Sequence, residues 1–282
     1  MMTQLWNQSK LNLNNHLSTQ VASLRQGFLR FRSGKQRVPA FFVKPAQPKG
    51  SVIVLHEVWG LVPHIQQVCK RVSKLGFTAI APDLYWKHKK LLVQEKIQTA
   101  IEGVWELSLG ERRDIHKVRE VMTRKSLSQE ILDLVTTLYS QDFRDQMLDD
   151  AVACVRYAHQ RTQKVATLGF CMGGGISARI ATRYSRLASC VVFYGEPPEA
   201  QDVNKIKAPI LAIHAEQDDI INAKIPSFVN SVLTSGKDLT LKVYPRTLHG
   251  FFNDTNKQVY NKAAAQDAWE LTKWFLLRTF KQ

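Results

Sequence analysis

Val165-Ala166-Thr167-Leu168-Gly169-Phe170-Cys171-Met172-Gly173-Gly174-Gly175 is the stretch on which the reading of the fold turns. Its first four residues form a short apolar run of the kind buried on both faces of a sheet. The following segment, Ile176 to Arg183, reads as helix. Between them lies a small-residue turn with one nucleophilic side chain at its apex. This is the pattern of a nucleophile elbow, G-x-S-x-G, with Cys171 in the serine position. Gly169 and Gly173 bracket it because so tight a turn leaves no room for a Cβ on either side. A thiol placed there meets the N-terminus of a helix, where the dipole and the free N–H groups favour a thiolate.

Working outward, Ser51–Leu55, Phe77–Ala81, Ser189–Phe193 and Ile210–Ile213 are further apolar runs that read as buried strands, and Leu239–Tyr244 reads as another strand. Helical patterns separate them. Pro63 opens one with Ile65, Val68, Cys69, Val72 and Leu75 on a single face. Leu148, Ala151, Val152 and Val155 mark another. Pro226–Leu233 is a third, and a last helix carries Ala264, Ala268, Leu271 and Phe275. Upstream, Gly27–Arg32 and Arg37–Val43 read as an antiparallel hairpin turned at Ser33-Gly34. Strands alternating with helices after an antiparallel start imply an α/β fold, with a mostly parallel central sheet and helices on both faces. The long interval 86–143 divides into helical pieces, Leu92–Trp105, Ile115–Arg124 and Leu127–Tyr139, and is expected to be a helical insertion capping one edge of the sheet. The expected organisation is a polar N-terminal extension over 1–25 and a single domain over 26–282.

The 282 residues are 44% hydrophobic and 22% charged, a globular rather than disordered composition. No run has the length of a transmembrane helix, and the polar N-terminus lacks the apolar stretch of a signal peptide. A cytoplasmic protein without a membrane partner is expected. Cys69, Cys154 and Cys190 sit in apolar patterns and read as reduced core residues, with no metal-binding spacing. The net charge of +15 is scattered, without an aromatic-interleaved basic stripe or a recognition helix, so no nucleic-acid partner is expected. A positive field does favour the approach of an anionic small substrate.

Chemistry in such a sheet gathers in the loops beyond the carboxyl ends of the strands. Four of these carry polar candidates. The loop after Leu55 begins His56-Glu57-Val58-Trp59-Gly60 and supplies a carboxylate at the sheet edge. The elbow supplies Cys171; the N–H groups of Met172 and Val58 are the expected oxyanion donors. The loop after the Ile210 strand holds Asp218 and Asp219, either able to fix a histidine tautomer. Glu196 competes for that role, although Pro197 and Pro198 suggest an ordinary turn. His249, beyond the Leu239 strand, is placed to be a general base. Nucleophile, acid and histidine, each after its own strand, follow the α/β-hydrolase order.

These residues carry a resemblance. His56-Glu57-Val58-Trp59-Gly60-Leu61, Ala81-Pro82-Asp83-Leu84-Tyr85, Gly169-Phe170-Cys171-Met172-Gly173-Gly174 and His249-Gly250-Phe251 together resemble the dienelactone hydrolase family, over residues 27–280. The resemblance implies an α/β-hydrolase fold and a cofactor-free, metal-free triad of Cys171, His249 and Asp218, with Asp218 preferred to Asp219. It also implies that Glu57 contacts the thiol and takes its proton when substrate arrives. Relatives acting on dienelactone clamp its carboxylate with arginines. Here those positions hold Lys87 and Asn253, which with Trp59 are the expected substrate-binding residues. Hydrolysis of a small ester or lactone, anionic or neutral, is the leading expectation. Action on a thioester or amide, or a non-catalytic binding role, are its alternatives.

Overall fold

The computed structural model describes residues 24–108 and 110–281. Of the expected N-terminal extension, all but the last two residues lie outside that range. The described residues open with a hairpin of β1 (Arg25–Ser33) and β2 (Gln36–Lys44), followed by β3 (Ser51–Leu55), α1 (Pro63–Lys74) and β4 (Thr78–Pro82). Next come α2 (Gln94–Gly103), α3 (Ile115–Arg124), α4 (Gln129–Tyr139) and the long α5 (Gln141–His159). The second half runs β5 (Val165–Phe170), α6 (Met172–Arg183), β6 (Ser189–Phe193), β7 (Ile210–Gln217), α7 (Asp219–Asn222), α8 (Ile225–Thr234), β8 (Leu239–Leu248) and α9 (Lys262–Lys281).

The eight strands form one sheet in the order β1-β2-β4-β3-β5-β6-β7-β8. Only the first two pairings, β1 with β2 and β2 with β4, are antiparallel; the others are parallel. This is the α/β-hydrolase architecture expected from the sequence. Strand alternation sorts the core into two layers. Ile53, Leu55 and Val192 face α5 and α6, whereas Val52, Val54 and Val191 face α1 and α9. Cys69, Cys154 and Cys190 are free and buried, as their apolar settings suggest. Among the described residues no helix is long and apolar enough to cross a membrane.

Helices α2 to α4 lie over the first layer. Their Ile97, Ala100, Val118, Met122, Leu134 and Val135 belong to the same apolar cluster as α5 and α6. Helices α3, α4 and α5 each start on a side-chain cap: Asp114 accepts from the His116 N–H, Ser128 from Ile131 and Ser140 from Phe143. Buried Arg112 ties the connecting turn down, donating to the carbonyls of Leu107 and Trp105 and to the Tyr139 hydroxyl.

Two strand ends differ from their sequence reading, and both matter. β7 and β8 pair well past Ile213 and Tyr244, with a bulge between Ala215 and Gln217. Pairing between the polar ends outweighs their low apolar content, so Asp218 and His249 each follow directly on a strand. The strands thus deliver these side chains to the same edge as the elbow.

At that edge α6 is pressed onto the sheet. A Cβ on Gly173 would lie 2.3 Å from the Leu55 carbonyl oxygen and 2.5 Å from that of His56. Because backbone cannot retreat as a side chain can, Gly173→Ala is expected to destabilise the fold by about 1–3 kcal/mol. Thermal melting should show the midpoint falling by several degrees.

Candidate active site

Cys171 adopts φ +52° and ψ −118°, a left-handed conformation that non-glycine residues rarely take. Its neighbours impose this. A Cβ on Gly169 would lie 2.0 Å from the Gly173 carbonyl oxygen, so the turn closes on itself. The Cys171 N–H donates to the Phe193 carbonyl at 3.0 Å, and its own carbonyl accepts from Gly175 at 3.1 Å. The half-buried thiol therefore projects from a backbone clamped between β6 and the first turn of α6.

His249 reaches this point on a loop that is anchored from below. Gly250, at φ +87°, turns the chain so that Phe251 and Phe252 plunge into the second layer. Phe252 stacks on Phe170, the residue before Cys171, with centroids 5.2 Å apart. The His249 Nδ1–H donates to Asp218 Oδ2 at 2.6 Å, which leaves Nε2 for the thiol side. Burial presses the imidazole toward its neutral form, but Cys171 and Asp218 together hold it well above the ordinary histidine range. Burial keeps nearby His214 neutral, down at about 4.

Glu57 is 2% exposed, and both of its oxygens are occupied. Oε1 accepts from the Tyr194 hydroxyl at 3.0 Å and Oε2 from the Asn253 amide at 2.6 Å. Neither oxygen hydrogen-bonds the Cys171 thiol, in contrast to the contact that the resemblance implies. Two neutral donors satisfy the buried carboxylate where it sits. Asn253 differs from expectation for the same reason. Its Nδ2 is committed to Glu57 and its Oδ1 accepts from the Thr255 N–H and hydroxyl, so it holds the carboxylate rather than facing an open site.

The loop after β3 is fixed by two further contacts. His56 donates from Nδ1 to the Glu57 carbonyl and accepts the Leu84 N–H at Nε2, so it is a neutral staple between strand ends. The Tyr85 hydroxyl donates to the Val58 carbonyl at 2.8 Å and lies 3.5 Å from the Met172 sulfur. Among the described residues no acceptor is paired with the N–H of Val58 or of Met172. Trp59 is half-buried against the first layer.

Lys87 does not join this group. Its Nζ lies 5.3 Å from the Trp86 ring centroid, and it lines an open cavity of about 540 Å³ with His88, Thr136 and Phe143. Glu196, the alternative acid, turns away to Lys224, Arg144 and Arg113. Tyr194 is a site residue that the sequence reading missed. It has φ +37°, and its ring sits 5.1 Å from that of His249. The available signal was its place directly after β6, at the same sheet edge as the other candidates.

Comparison with known proteins agrees with this fold. Residues 38–280 match the model of the dienelactone hydrolase family. The chain belongs to the dienelactone hydrolase family. It is 36% identical over 253 residues to the "Putative carboxymethylenebutenolidase" of Saccharolobus solfataricus, covering 89% of this chain and 98% of that one. It is 30% identical over 253 residues to Protein usf of Aquifex pyrophilus, covering 88% and 96%. Among solved structures, the dienelactone hydrolase-like promiscuous phosphotriesterase P91 from metagenomic libraries superposes with a TM-score of 0.67 at 18% identity, covering 91% of this chain and 99% of that one. Membership supports a hydrolase; the particular chemistry rests on this chain's own residues.

In this family member the raised His249 gives a measurable consequence. Asp218 is one of the groups that hold the imidazolium up, so Asp218→Asn should let its pKa fall. The upper inflection in the pH profile of Cys171 alkylation by iodoacetamide is expected to move to lower pH. An unchanged inflection would separate Asp218 from the titration of His249.

Proposed function

We propose that this protein hydrolyses a small carboxylic ester or lactone through Cys171, His249 and Asp218. The observation that carries this reading is the Asp218–His249 pair at 2.6 Å, turned toward a thiol at a strained strand-to-helix elbow. Each group has a chemical task that its surroundings suit.

The Cys171 sulfur attacks the carbonyl carbon as a thiolate, with the His249 imidazolium balancing its charge. The developing oxyanion is met by the N–H groups of Met172 and Val58, the second held in place by Tyr85 through the Val58 carbonyl. As the carbon–oxygen bond breaks, His249 gives its proton to the departing alkoxide or enolate, leaving an acyl-thioester on Cys171. A water molecule then yields a proton to His249 and attacks the acyl carbon. The acid departs, and the thiolate and imidazolium are restored. Asp218 keeps the ring in the tautomer and orientation that both steps need. Glu57 acts differently from Asp218. Its two oxygens are taken by Tyr194 and Asn253, so it stays out of the proton exchange between Cys171 and His249.

Cys171→Ala is expected to reduce hydrolysis of phenyl acetate by about 10³-fold or more without altering the circular dichroism spectrum. Mass spectrometry of the wild type quenched in acid should show an acetyl group on the peptide containing Cys171. Turnover that survives the substitution would overturn this mechanism.

A further inference from the structure

Four cationic side chains gather beside the elbow helix, and the chemistry above uses none of them. Arg113 lies in the short helical turn before α3, Arg144 in the first turn of α5, and Arg179 on α6. Lys224 lies between α7 and α8, six residues beyond Asp218. Arg179 is paired with Asp145 at 3.2 Å. The other three converge on one carboxylate, Glu196. Lys224 bonds its Oε1, while Arg144 and Arg113 stand 3.7 and 3.9 Å from its Oε2.

Three features distinguish this group from an ordinary surface ion pair. The charges do not cancel: three cations share one anion, and the neighbouring Arg179–Asp145 pair adds nothing net. The guanidinium donors are also unspent. Neither Arg113 nor Arg144 makes a side-chain hydrogen bond among the described residues, and both distances to Glu196 exceed bonding range. Arg144 is nevertheless only 21% exposed, and both burial and Arg113 press against its charge. Finally, the group lies close to the chemistry. Glu196 follows β6 by three residues, and a Cβ on Gly175 would lie 3.5 Å from its Cβ, N and O. The Gly175 N–H in turn bonds the Cys171 carbonyl, so the Glu196 backbone rests on the turn that begins at the nucleophile.

We infer that Arg113, Arg144 and Lys224, gathered round Glu196 one helical turn from Cys171, form a binding site for the carboxylate of an anionic ester substrate. The inference rests on the reading of Cys171 as the nucleophile. Glu196 holds the three cations in place without saturating them. A substrate carboxylate then completes the group by taking the free N–H donors of the two arginines, and its ester carbonyl extends toward the thiol. A planar guanidinium suits this task because it grips a carboxylate with two parallel bonds. The site joins the insertion, through Arg113, to the loop that carries Asp218, through Lys224. Charge selection therefore resides in elements outside the sheet, and Lys87 is not needed for it.

The test compares phenyl acetate with 4-acetoxybenzoate, its carboxylate-bearing counterpart, at low ionic strength. In Arg113→Ala/Arg144→Ala, KM for 4-acetoxybenzoate is expected to rise about tenfold, the scale of one lost charge-assisted contact. For phenyl acetate, kcat/KM should stay within about twofold, and the thermal midpoint reports whether the insertion is still docked. A second reading needs no turnover: the ratio of Cys171 alkylation rates by iodoacetate and iodoacetamide. It should fall about three- to fivefold in the double variant and rise in Glu196→Gln, with both changes fading in high salt. Equal losses on both esters with an unchanged alkylation ratio would make the cluster a structural latch and overturn the proposal. If the wild type cleaves neither ester, the hydrolase reading fails, while the alkylation ratio still decides whether the anion site exists.

Discussion

Backbone pressed against backbone at the head of α6 is the constraint on which the site depends. Gly173 meets the Leu55 carbonyl, Gly169 meets Gly173, and Gly195 meets Gly174, all at distances where a methyl group cannot fit. Three strands, β3, β5 and β6, are thereby fused to one helical turn. Cys171 has no freedom left and takes φ +52°, a conformation costing about 1–3 kcal/mol that persists only because its surroundings over-determine it. The same closeness that strains the cysteine seats the backbone of Leu55 and His56 against the head of α6. The strain and the position of the Cys171 side chain have a single cause.

Around that point two carboxylates receive opposite treatment. Asp218 faces a group that can become charged and holds the His249 proton in place. Glu57 faces only neutral donors, a phenol and an amide, and is sealed from water. A carboxylate tied to an imidazole can fix that ring's tautomer and orientation, whereas one tied to a phenol and an amide is itself fixed in place by them. The difference lies in the partners, and those partners come from separate loops: Tyr194 after β6 and Asn253 beyond β8.

This explains what the sequence could and could not disclose. The parallel sheet was legible because its strands, Ser51–Leu55 and Ser189–Phe193 for example, are short apolar runs buried on both faces. The elbow was legible because glycine is the only residue that tolerates such contacts. Bringing Asp218 or Asp219 to His249 required only the rule that loops at the carboxyl edge converge, and the family resemblance favoured Asp218. The partners of Glu57 obey no such rule. They lie 137 and 196 residues away, and a tyrosine or an asparagine in a loop has no periodicity to betray it. Asn253 was misread as a substrate contact because its position after the histidine was visible while its orientation was not. Glu196 looked like part of a proline turn, since the three cations that surround it come from three different elements.

The distribution of tasks follows from the two layers of the core. The candidate site is fixed where packing is tightest: Phe252 stacked on Phe170 and α6 fused to the strands leave Cys171 and His249 little room to drift. The walls around them come from elements held by side chains rather than by backbone contact. Tyr85 braces the Val58 loop and packs against Phe143 of α5, and Arg113 and Arg144 approach from the insertion and α5. Side-chain contacts of this kind can change by single substitutions without moving the sheet. The elbow cannot, because every residue in it is held by the backbone of another. Within such a fold, the bond that is cleaved and the substrate that is admitted can vary separately.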